Sequence, residues 1–98
     1  MSNERLVKIF NRADKNMSEM LSEKNSKIVD LSDVEGVYVD RAAQRNEPDK
    51  IYGFYTWQEV DGEDYGASYL CYGCLETKEY EQILGMFKEK YPKIRTGL

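Results

Sequence analysis

Apolar residues recur at helical spacing at both ends of this chain and switch to alternation in between, and that change of period leaves few architectures open. Leu6, Phe10, Ala13, Met17, Met20 and Leu21 line one face of a helix expected over about residues 4 to 24, with Val7 and Ile9 widening the stripe. Ser2 or Asn3 can cap it, and Glu4 suits its first turn. Tyr80, Ile83, Leu84, Phe87 and Tyr91 repeat the pattern near the other end. There Thr77 is the expected N-cap, Lys88 and Lys90 favour the C-terminal turn, and Pro92 stops the helix. Gly85 costs about 1 kcal/mol against alanine inside a helix, which predicts close packing at that point.

The middle of the chain alternates. Val37 and Val39 share one face of a strand, the stretch from Lys50 to Val60 is rich in aromatic and β-branched residues, and Asp61-Gly62 is a strong hairpin turn. Gly66 to Leu75 then returns as the partner strand. Ile28 to Leu31 offers a fourth strand, Arg41 to Asp49 reads as a long polar loop, and the tail from Lys93 to Leu98 is expected to fray. The expected fold is α+β in one domain over residues 1–98. It comprises an N-terminal helix, a three- or four-stranded antiparallel meander and a C-terminal helix, with both helices mainly on one sheet face.

In the simplest hairpin register, Tyr52, Phe54, Thr56, Gln58, Tyr69, Cys71 and Leu75 share one face. Ile51, Tyr55, Trp57, Leu70, Tyr72 and Cys74 share the other. The reading adopted takes the Ile51, Trp57, Leu70 side as core and leaves Tyr52, Phe54 and Tyr69 as an exposed aromatic patch. Six of the eight tyrosines lie between residues 34 and 75, with the single tryptophan. The same stretch holds three basic and eight acidic residues, a net charge of −5, while the flanking segments stand at zero and +1. Glu59, Asp61, Glu63 and Asp64 crowd the hairpin tip beside Tyr65.

Several chemistries are disfavoured. The chain has no histidine, so neither a Ser-His-Asp nor a Cys-His arrangement can form. No glycine-rich loop sits at a strand-to-helix turn, and the acidic tip lacks the ligand spacing of a calcium-binding loop. A net charge of −4 argues against direct nucleic-acid binding. No apolar run spans a membrane and the start lacks a signal-peptide core, so a cytoplasmic protein is expected. Cys71 and Cys74, spaced C-x-x-C, fall in a strand pattern and not at a helix start, which favours buried thiols over a redox pair or a zinc site shared between chains.

What remains is a non-catalytic module without cofactor or metal. It would bind a protein partner, one with a basic surface, through Tyr52, Phe54, Tyr69, Glu59, Asp61, Glu63, Asp64 and Tyr65. Its concrete form is an inhibitor or immunity-type protein that masks a nucleic-acid-binding site. The alternative is a homodimer through the aromatic sheet face. Element order and acidity are similar to those of several small phage inhibitors of nucleases, a fold-level analogy without a shared motif.

Overall fold

Helix α1, Asn3–Lys24, puts Leu6, Phe10, Ala13, Met17 and Leu21 into the core, as its spacing requires. The computed structural model describes residues 3–42, 47–70 and 75–97, with side chains at 4–40, 53–70 and 75–97. After α1 the chain makes a short 3-10 turn, Leu31–Asp33, capped by the Asp30 carboxylate, which accepts the Ser32 N–H at 2.9 Å. Strands β1 (Gly36–Ala42), β2 (Glu47–Val60) and β3 (Glu63–Leu70) follow, then α2 (Thr77–Lys90) and β4 (Arg95–Gly97). The sheet order is β3-β2-β1-β4. Its first three strands form the antiparallel meander, and β4 adds to β1 in parallel.

Four sequence expectations are corrected here. The fourth strand is β4 and not Ile28–Leu31; Ile28 and Leu31 are instead buried plugs on either side of the Asp30 cap. The tail is therefore paired and not frayed. Ile94 is buried and the Arg95 N–H donates to the Glu35 carbonyl at 2.9 Å. Three residues are too short to show a period, which is why the sequence hides this strand. The described residues of the supposed loop from Arg41 to Asp49 are strand: β1 runs to Ala42 and β2 starts at Glu47, with register shifts on either side of Arg41. The N-cap of α2 is Glu76 and not Thr77; the Glu76 N–H donates to the Glu79 carboxylate at 3.0 Å.

Both helices cover the same face of the sheet. One continuous core joins α1 to Tyr80, Ile83, Leu84 and Phe87 of α2 and to Val37, Val39, Phe54 and Ala67 of the strands. Phe10 meets Phe87 edge-on at 4.8 Å between ring centres, and Phe54 sits 5.3 Å from Tyr80 and 5.6 Å from Phe87. Burying each such ring contributes roughly 1.5–3 kcal/mol. The short dimension of 20 Å corresponds to one helical layer on one sheet.

Polar contacts tie helix to helix and helix to sheet. Asp14, 5% exposed, accepts hydrogen bonds from Tyr91 Oη at 2.6 Å and Lys90 Nζ at 2.5 Å, linking the middle of α1 to the end of α2. Lys24, in the last turn of α1, donates to the Gly66 carbonyl of β3 at 2.6 Å. No described helix is long and apolar enough to cross a membrane.

Candidate functional site: the uncovered sheet face

Strand alternation and the observed registers generate the second face of the sheet directly. The pairings Trp57 with Gly66 and with Gly36, and Gly36 with Arg95, form one row across the strands. The next row carries Ser68, Tyr55, Tyr38 and Gly97, and the one beyond it Leu70, Gly53 and Asp40. Toward the hairpin tip, Asp64 and Glu59 stand opposite each other. Neither described helix covers this side. Tyr55 is 40% exposed, Trp57 38% and Leu70 37%.

This reverses the face assignment made from sequence. Phe54 is completely buried under α2, and Tyr69 is half-buried against the core, so neither forms an exposed patch. The backbone of Tyr52 lies in β2 on described residues, but its side chain lies outside the described set. The physical reason is charge. Among the described side chains of the strands, the face bearing Phe54, Thr56 and Ala67 has one acidic residue, Glu63 at the exposed turn end, and its buried Thr56 hydroxyl donates to the Gly36 carbonyl at 2.8 Å. The other face carries Asp40, Glu59, Asp64 and Arg95, whose burial without partners would cost far more than exposing two or three rings. Glu59 in phase with Trp57 was the available signal. Asp40 in phase with Tyr38 repeats it.

Glycine shapes this surface. Gly36, Gly53, Gly66 and Gly97 all lie on the uncovered side, and they are the glycines of the described strands. The ring of Tyr38 lies over Gly36 and Gly97, and it stacks at a tilt of 34° against Tyr55, 5.5 Å away. A Cβ at Gly53 would collide with the Tyr69 carbonyl at 2.0 Å. Strand glycines commonly mark such close approaches.

The four acidic residues of the tip separate into two kinds. Asp61 and Gly62 form the turn with φ of 54° and 83°. The Asp61 carboxylate is 2.6 Å from Lys27 Nζ, and that hydrogen bond raises the lysine's affinity for its proton. Glu63 accepts the Tyr65 hydroxyl at 2.9 Å, which pushes the Tyr65 phenol upward. Tyr65 itself packs on the core side. Glu59 and Asp64 differ. Both are exposed, they face each other across β2 and β3, and among the described residues neither has an ion-pair partner. Like charges in that position destabilise a sheet.

Of the sequence-predicted residues, the structure therefore brings only Glu59 and Asp64 onto the uncovered face. Tyr38, Tyr55, Trp57 and Leu70 join them there and were not chosen from the sequence. Among the described residues no cluster of cysteine, aspartate and glutamate could hold a metal ion. Cys71 and Cys74 lie outside the described residues. No protein-family model, curated protein or solved structure matches this chain.

Proposed function

We propose that the chain is a non-catalytic interaction module that docks a basic protein surface on its uncovered sheet face. One observation carries the reading: exposed aromatic rings adjoin two opposed carboxylates that have no ion-pair partner among the described residues and whose like charges oppose the pairing of their strands. A cationic partner supplies the missing charge, and tyrosine and tryptophan contribute large contact area at small entropic cost. Masking of a nucleic-acid-binding site is the specific form of this reading. A carboxylate pair beside flat rings competes for the same lysines and arginines that hold phosphates and bases.

The same face could instead close a two-fold dimer. That arrangement places both copies of the Glu59–Asp64 pair in one interface, and Arg95 is the only cation among the described residues of this face to offset them. The charge balance favours the basic partner. Sedimentation at micromolar concentration separates the two, and a clean monomer removes the dimer.

The test is competition. A lysine- and arginine-rich DNA-binding domain, preloaded with labelled duplex DNA, should release the DNA as this protein is added. Release should weaken steeply with salt. Glu59→Lys with Asp64→Lys should abolish release while leaving the unfolding midpoint about unchanged, since like charges still face each other across the strands. Release that ignores both salt and the double reversal rules the reading out.

A further inference from the structure

We infer that Trp57 is a seat for an arginine side chain of the partner, the guanidinium lying flat on the indole and reaching the Glu59 and Asp64 carboxylates. The inference deepens the docking reading and rests on it.

Among the described residues no other ring stacks on the indole, in contrast to the exposed tyrosines of this face. Tyr38 and Tyr55 stack on each other, and Tyr38 also covers two glycines. Trp57 stands between Gly66 on β3 and Gly36 on β1: its neighbour on the β3 side presents exposed backbone instead of a side chain, while the Tyr38 ring overlies Gly36 on the other side. Trp57 as a whole residue is more than one-third exposed. Glu59 is two residues further along the same strand face, about 6.6–6.8 Å away, with Asp64 directly opposite it. Cross-strand Cβ atoms stand about 4.5–5.5 Å apart. A cation held within about 6 Å of the indole centre therefore lies within reach of both carboxylates.

Guanidinium fits this arrangement better than ammonium. It is planar, so it can lie on an indole, and it is weakly hydrated, so leaving water costs it less. Its donors form a fork that can serve two carboxylates at once, where an ammonium acts as a compact point charge. Among the described residues, no cation lies over Trp57.

Trp57 is the chain's only tryptophan, so its fluorescence reports the seat directly. An arginine homopeptide and a lysine homopeptide of equal length are titrated into the full chain. The expected result is that arginine binds about five-fold more tightly and quenches the indole in step with occupancy. Trp57→Leu, followed by anisotropy of labelled peptide, should bring arginine down to the lysine affinity without moving the unfolding midpoint. Glu59→Gln with Asp64→Asn should weaken both peptides and relieve strain in the sheet. Equal affinities for the two peptides, or an arginine preference that survives Trp57→Leu, overturn the seat and leave the docking reading standing. Failure of both peptides to bind at low salt removes the two together.

Discussion

Asp14 is a carboxylate on the wrong side of an amphipathic helix, and its three neighbours explain how the fold tolerates it. Tyr91, Lys90 and, at a longer 3.4 Å, Ser18 supply the donors that a buried carboxylate needs. Asp14→Ala should strand the Tyr91 hydroxyl and cost about 2 kcal/mol in urea unfolding, whereas Asp14→Asn, which keeps an acceptor, should cost less. Two buried phenols set the alkaline limit. Burial raises Tyr80 to about 12, and Tyr91 is driven higher by burial and by its bond to Asp14. Unfolded tyrosines ionise near 10, so the unfolded chain loses protons first as pH rises. The stability these groups contribute is complete below about pH 10 and is lost as pH climbs through their folded values. Phenolate absorbance should show these two tyrosines ionising only as near-ultraviolet dichroism collapses. Gly85 belongs at this scale too. The close packing expected of it is absent, since a Cβ there would meet nothing within 4 Å. Gly85→Ala should therefore stabilise the protein by roughly 0.5–1 kcal/mol in the same unfolding assay.

Both helices and the hairpin were legible because each repeats its period over many residues. Leu6 to Leu21 and Tyr80 to Phe87 announce buried stripes, and Asp61-Gly62 announces the turn. The orientation of the sheet was less so, because both faces of β2 are aromatic and periodicity alone cannot rank Phe54 against Trp57. Electrostatics ranks them, through Glu59 and Asp40. The distinction is measurable: Phe54→Ala should cost about 3–5 kcal/mol by leaving a cavity under α2, and Trp57→Ala about 1 kcal/mol or less. β4 was illegible for a different reason, since its place is set by the anchoring of Ile94 and the vacant edge of β1, both long-range facts. The Arg95 amide should be protected in hydrogen exchange; exchange at the rate of an unstructured tail would contradict the pairing. The candidate site suffered from the same ambiguity, which moved its aromatic half to the opposite face while Glu59 and Asp64 stayed in place.

At the scale of the molecule, charge is unevenly shared: the two helices hold basic and acidic residues in near balance, with their cations grouped on part of α1, while the uncovered sheet face is acidic. Arg5, Lys8, Arg12 and Lys15 lie on the exposed side of α1, away from its buried stripe, while Asp40, Glu59 and Asp64 occupy the far side of the sheet. Arg5 pairs with Glu79 and Lys15 with Glu19, which moderates this row without neutralising it. Such an uneven distribution orients an approaching cationic partner toward the sheet before contact. The association rate with a basic partner should therefore fall steeply as salt shortens the Debye length below about 10 Å, while the dissociation rate changes little.

The ammonium of Lys24 at the rim of β3 has a consequence for crowded conditions. An unguarded outer strand is a template on which identical chains can stack into fibrils. Here a foreign strand would have to strip Lys24 from the Gly66 carbonyl and leave a positive charge beside the new junction. The protein can thus keep a sticky, ring-bearing surface available for recognition while its border resists polymerisation.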